Sequence, residues 1–133
     1  MAYIHKVKYY ECDRMGITHH SNYARFMEEA RVDLLDRLGY GFEKMEAEGV
    51  VSPVLAIEVH FLKSTTFQDE IEVEVGLRDV STFKFEFEYI MQVNGETVCK
   101  ATSRHCLIKE SRPLPYRKYY PELFARIPTP EAV

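Results

Sequence analysis

"IEVEVGLRDVSTFKFEFEYIMQVNGETVCKATSRHCLI", residues 71–108, changes hydrophobic character at every second position for most of its length. Successive side chains of an extended chain point to opposite faces, so a period of two predicts strands with one buried and one wet face. Ile71, Val73, Val75 and Leu77 form one apolar row against Glu70, Glu72, Glu74 and Arg78. Phe83, Phe85, Phe87, Tyr89 and Met91 form the next, against Lys84, Glu86 and Glu88. Asn94-Gly95 is a strong two-residue hairpin signal, and it leads into a final strand from about Thr97 to Ile108. Upstream, Leu55, Ile57, Val59 and Phe61 alternate with Ala56, Glu58, His60 and Leu62. Long consecutive strands joined by short turns imply a largely antiparallel sheet, and accumulated twist keeps such a sheet from lying flat.

Ahead of these strands the period changes. Tyr23, Phe26, Met27, Ala30, Leu34, Leu35 and Leu38 recur at offsets of three and four, with Arg25, Glu28, Glu29, Asp33, Asp36 and Arg37 on the other face. This is an amphipathic helix about 24 Å long at 1.5 Å per residue. Ser21 or Asn22 is expected to cap its start, and Gly39 stands where a glycine ends a helix. Residues 41–49 have room for one or two further helical turns. Tyr3, Ile4, Val7, Tyr9 and Tyr10 favour a first strand within 3–10. The tail carries Pro113, Pro115, Pro121, Pro128 and Pro130, and its "PELFARI" is expected to make one short docked turn. The whole predicts an α+β fold over residues 1–133, one domain with a long antiparallel sheet wrapped around one central helix.

Composition narrows the function classes. An apolar content of 46% excludes a disordered chain. A net charge of −4 without a basic block argues against nucleic acid as the main partner. No stretch approaches the roughly 18 apolar residues of a membrane span, and the alternating "MAYIHKVKYY" does not resemble a signal peptide, so a cytoplasmic location is expected. Cys12, Cys99 and Cys106 are odd in number and lack C-x-x-C spacing, which argues against disulfides and structural zinc.

The densest chemistry is "YYECDRMGITHHSNYARFMEEAR", residues 9–31. Adjacent His19 and His20 point to different sides and make a poor metal pair; no metal and no cofactor are expected. Cys12 lies several residues upstream of the helix, too far to gain the lowered pKa that a nucleophilic thiolate needs. Asp13 faces two readings. It orders the glycine-containing turn, or it stands as a carboxylate beside the unpaired N–H groups of a helix start, where a carbonyl would be polarised.

The pattern Tyr10-Glu11-x-Asp13-x-x-Gly16-x-x-x-His20-x-Asn22-Tyr23-x-x-Phe26-x-Glu28-x-Ala30-Arg31 resembles the opening motif of hotdog-fold acyl-CoA thioesterases of the 4-hydroxybenzoyl-CoA thioesterase type, including the YbgC-like branch. Motif, single long helix, long strands and Pro-containing tail occur in the family's order. The resemblance implies hydrolysis of an acyl-CoA to free acid and CoA, with Asp13 as nucleophile or general base and the backbone N–H at His20 serving the oxyanion. Gly16 matches the glycine of the tight turn, and Glu28 with Arg31 a salt bridge at an assembly interface. Substrate binding would draw on Asn22, Tyr23, Phe26, Met27, Val54 and Phe61, and CoA phosphates on Lys63, Arg78, Lys84, Lys100 or Arg104. Gln68-Asp69 departs from the family's Gly-Asp turn. Hotdog subunits join sheets edge to edge, which implies a homodimer and, in many members, a homotetramer. The competing expectations are a carrier-protein thioesterase, a hydratase-type reaction, and a non-catalytic acyl-thioester binding protein.

Overall fold

A computed structural model describes residues 2–129; Pro130 lies outside them. In chain order the elements are β1 (Tyr3–Lys6), α1 (Ser21–Arg37), α2 (Phe42–Ala47), β2 (Val50–Val51), β3 (Val54–Phe61), β4 (Glu70–Asp79), β5 (Lys84–Val93), β6 (Glu96–Lys109), β7 (Arg112–Leu114), α3 (Tyr116–Tyr119) and α4 (Pro121–Arg126). All the strand pairings are antiparallel, in the order β1-β4-β5-β6, with β3 on the far side of β6 from β5. The short strands β2 and β7 pair with the C-terminal end of β6, opposite each other at Lys109. This is the hotdog arrangement, a curled sheet around a central helix.

The alternation works as expected in β4 and β5. Ile71, Val73, Val75, Leu77, Phe85, Phe87, Tyr89 and Met91 are buried. They pack with Tyr23, Phe26, Met27, Ala30, Leu34 and Leu35 of α1 in one core. On the opposite face the register places both Arg78 and Arg104 across from Glu86; Arg104 forms its ion pair there, and Arg78 reaches diagonally to Glu88. Phe83, expected in the buried row, precedes β5 in a turn and is exposed. The hairpin at Asn94-Gly95 has both residues at positive φ, +51° and +80°, as a type I′ turn requires.

Three local expectations change. The first strand stops at Lys6 and the chain makes a 3-10 turn over Tyr9–Glu11. The cause is Glu11, whose carboxylate folds back to accept the Lys8 N–H at 2.7 Å and sits 2.9 Å from His5 Nε2. At the helix start neither Ser21 nor Asn22 caps: the Asn22 amide is drawn to the Glu11 carbonyl at 2.9 Å, and His19 Nδ1 accepts the Ser21 N–H at 3.2 Å. The third change concerns β3, which is a strand but not a core strand. Its Val54, Leu55, Ile57 and Phe61 are 45–52% exposed, because β3 lies at the sheet edge, paired to β6 alone.

The far end of α1 follows its expectation. Gly39 at φ +82° sends its N–H to the Asp36 carbonyl, while Tyr40 N–H reaches back to Leu35, the paired bonds of a Schellman motif. The tail docks through the buried Leu123, Phe124 and Ile127. No helix among the described residues is long and apolar enough to cross a membrane.

Candidate active site

Two loops and one helix mouth build the site. In the first loop the Asp13 carbonyl accepts the Gly16 N–H at 3.0 Å, and the Asp13 N–H donates to the Ile17 carbonyl at 2.9 Å. The turn these bonds close holds Gly16 at φ +78°, a left-handed conformation that a Cβ would strain. Asp13 Oδ1 accepts the Met15 N–H at 2.8 Å, and Oδ2 has no partner among the described residues. The carboxylate is thus oriented through one oxygen and available through the other.

The second loop, residues 62–69, clamps the first. Thr18 N–H donates to the Thr65 carbonyl at 2.8 Å, and the Thr66 hydroxyl donates to the Gly16 carbonyl at 2.7 Å. Buried between them, Thr65 Oγ1 lies 2.6 Å from Thr18 Oγ1 and 2.9 Å from the Tyr23 hydroxyl. Burial raises the Tyr23 phenol above its usual pKa, so it stays protonated and keeps a donor in this network. Gln68 adopts φ +75°, so the turn has the left-handed geometry a glycine would take, at a cost of roughly 1–2 kcal/mol for a residue bearing a Cβ.

Asp13, Met15, Ile17, Thr18, His20, Tyr23, Phe61, Leu62, Lys63 and Ser64 line a cleft of about 360 Å³. Of the sequence candidates, Asp13, His20, Tyr23, Phe61 and Lys63 meet here, and Gly16 shapes the loop without lining it. The His20 carbonyl accepts the Tyr23 N–H, whereas its own N–H finds no acceptor among the described residues. An unspent backbone donor therefore accompanies the carboxylate at the helix mouth. Phe26 and Met27 are elsewhere: both are fully buried in the core and neither lines the cleft, because the helical period that faces a pocket also faces a core. Asn22 is committed to the Glu11 carbonyl. Val54 also lies outside the cleft.

Cys12 Sγ points to the Lys8 carbonyl at 3.9 Å, with no histidine partner. Burial pushes the Cys99 thiol up to about 12, which makes it unreactive. Among the described residues no group of three His, Cys, Asp or Glu side chains is placed to hold a metal ion. Of the five strand cations, Lys63, Arg78 and Arg104 are already paired, with Glu96, Glu88 and Glu86.

Arg31 does not pair with Glu28. Its guanidinium is buried and starts a relay that no sequence spacing announces. Arg31 Nη1 donates to the Tyr89 hydroxyl at 3.1 Å, which lies 2.6 Å from Ser103 Oγ, itself 2.6 Å from His105 Nε2. A guanidinium can only donate, so each hydroxyl passes its proton onward and His105 Nε2 must accept. The other ring nitrogen then carries the hydrogen, matching a bond to the Pro53 backbone. Every dipole in the chain turns its negative end toward Arg31, which offsets part of the cost of burying that charge.

Comparison with known proteins gives the chain's family and fold relatives. Residues 7–132 match the thioesterase-like superfamily. A Bacillus subtilis protein named as a candidate acyl-CoA thioesterase, YneP, is 38% identical over 120 residues, covering 88% of this chain and 87% of its own. The crystal structure of a hypothetical protein from Aquifex aeolicus superposes with a TM-score of 0.88 at 34% identity, covering 93% of this chain and 98% of the other. That of a DHNA-CoA thioesterase from Staphylococcus aureus gives 0.84 at 27% identity, covering 94% and 88%.

Proposed function

The chain belongs to the thioesterase-like superfamily and is a thioester hydrolase; from that premise we propose that its substrate is an acyl-CoA, hydrolysed to the free acid and CoA at Asp13. The observation that carries this reading is the meeting, in one cleft, of a carboxylate with a free oxygen and a helix mouth with an unspent N–H. The thioester carbonyl oxygen would take the His20 N–H. Asp13 Oδ2 would attack the carbonyl carbon, or remove the proton from a water that does so, and the C–S bond would break with CoA leaving as its thiolate; on the first route water would then cleave the Asp13–acyl anhydride, releasing the acid and restoring the carboxylate. Tyr23 and Phe61, in edge-to-face contact at 4.9 Å, form the apolar wall beside the reacting carbon. Lys63 also lines the cleft, where Glu96 holds its ammonium at 2.5 Å.

The test is a panel of short, medium, long and aromatic acyl-CoAs together with carrier-protein thioesters, followed by free-thiol release. Hydrolysis of acyl-CoA members is expected. Turnover of carrier-protein thioesters alone would move the substrate assignment, and tight acyl-CoA binding without turnover would replace the enzyme by a binding protein.

We further read β3 as the strand through which two copies join. Its free edge and exposed Val54, Leu55, Ile57 and Phe61 suit extension of the sheet by a second β3 about a two-fold axis. Light scattering should give two or four times the chain mass of 15.6 kDa, and a mass of one chain would sink this reading.

A further inference from the structure

A second recess, of about 420 Å³, opens on the same two segments that bound the catalytic cleft. Its walls include Lys6, Lys8, Tyr9, Tyr10 and Phe67. Three aromatic side chains stand in solvent there: Tyr9 is 78% exposed, Tyr10 75% and Phe67 45%. Isolated exposed apolar residues need no explanation, but three at one concavity mark a binding surface. Tyr9 and Phe67 meet edge to face at 5.6 Å, which leaves ring faces open. Lys6 and Lys8 make no close ion pair among the described residues, in a chain whose net charge is −4, although the Lys8 charge helps hold the Glu11 carboxyl below its usual pKa. The strand cations Lys63, Arg78 and Arg104, in contrast, are each paired with a glutamate.

The same two segments are fastened together beside the recess and beside the cleft. Gln68 N–H donates to the Val7 carbonyl and Val7 N–H to the Asp69 carbonyl, both at 2.9 Å, beside the recess. The Thr18–Thr65 and Thr66–Gly16 bonds fasten the same two segments beside the cleft. One seam therefore carries a reacting end and, further along, an aromatic and cationic end.

We propose that this recess is the nucleotide subsite of the substrate, stacking the adenine of CoA on Tyr9 and Phe67 and holding phosphates with Lys6 and Lys8. The proposal rests on the acyl-CoA reading. A purine has the flat π faces that exposed rings accept, and its phosphates supply the anions that two unpaired lysines need. An acyl chain or a plain apolar peptide would use the rings and leave the lysines without a role.

The experiment compares one acyl group carried on CoA and on N-acetylcysteamine, which lacks the nucleotide, in the wild type, in Lys6→Ala/Lys8→Ala and in Tyr9→Ala/Phe67→Ala. The expected result is a tenfold or larger fall in the ratio of kcat/KM for the CoA thioester to that for the truncated thioester, carried by KM. Calorimetric titration with adenosine 3′,5′-bisphosphate supplies an arm independent of turnover: the wild type binds it and both double variants bind it at least tenfold more weakly. An unchanged ratio, or equal binding of the bisphosphate by wild type and variants, overturns the proposal. So does a fall in assembled mass in the variants, which would make the recess a contact between copies. If the wild type hydrolyses neither thioester yet binds the bisphosphate in this lysine-dependent way, the hydrolase reading fails and the nucleotide site stands.

Discussion

Asp13→Asn is expected to lower kcat for acyl-CoA hydrolysis by about 10²- to 10⁴-fold, the usual effect of removing a positioned acid–base group. The substitution is close to isosteric, and an amide oxygen still accepts the Met15 N–H that orients the side chain at 2.8 Å. The turn bonds between Asp13, Gly16 and Ile17 are made by the backbone and do not depend on the side chain. The fold should therefore be retained, and unfolding free energies from urea titration should stay within about 1 kcal/mol of the wild type. What is lost is the anionic oxygen. A neutral amide neither attacks a thioester carbon nor takes a proton from water at useful rates. Because His20 contributes a backbone donor, His20→Ala keeps the N–H and serves as a contrast. Wild-type rates of thiol release in Asp13→Asn would remove Asp13 from the mechanism.

The second large effect is on stability and comes from His105. Burial, and then the nearby Arg31 charge, press its pKa down from 6.5 to about 3. The folded state thus keeps the ring neutral where the unfolded chain already binds a proton. Unfolding then takes up protons, so stability falls as pH drops from 6.5 toward 3, by about 1.4 kcal/mol per pH unit. Over that window the loss is on the order of 4 kcal/mol, a large share of the roughly 5–15 kcal/mol typical of a domain. Glu11 and Asp79 add to it only in the lower part of the window. Burial alone would raise Glu11, but its bonds to His5 and the Lys8 amide outweigh that and lower it; Arg117 and Tyr116 lower Asp79. Urea titrations between pH 7 and 4.5 should show the slope in the wild type and a flatter one in His105→Gln, which starts less stable because the relay is broken. Equal slopes in the two proteins would show that His105 is not the group responsible.

These two effects differ in how visible their residues are in the sequence. Asp13 stands in a dense local motif, and its distance from Gly16 and from the helix start is written in consecutive residues. The sheet is equally visible, since alternating Glu and Val in β4 and alternating Phe and Glu in β5 leave few ways to bury the apolar rows. The relay is not visible. Arg31 and Tyr89 are 58 positions apart, and Thr18 and Thr65, which lock the Asp13 loop, 47. Contacts at such separation leave no period to read. β3 misleads for another reason: alternation says that a strand has an apolar face and does not say whether its own chain covers it. Phe26 and Met27 fall on the correct face of α1, but that face meets the core before it meets the cleft. Lys6, Lys8, Tyr9 and Tyr10 look like ordinary strand residues until the Glu11 turn swings the tyrosines outward.

The wrapping of α1 by strands that follow it also sets the order in which the protein can be made. α1 is complete at Arg37, whereas β4, β5 and β6, which cover it, extend to Lys109, and β1 waits for β4 before it has any partner. At typical translation rates of about 5–20 residues per second, Phe26, Met27 and Leu34 go without their cover for roughly 4–14 s. The helix at whose mouth the cleft opens is thus exposed to nascent-chain chaperones, and a ribosome stalled before β4 would display it bare.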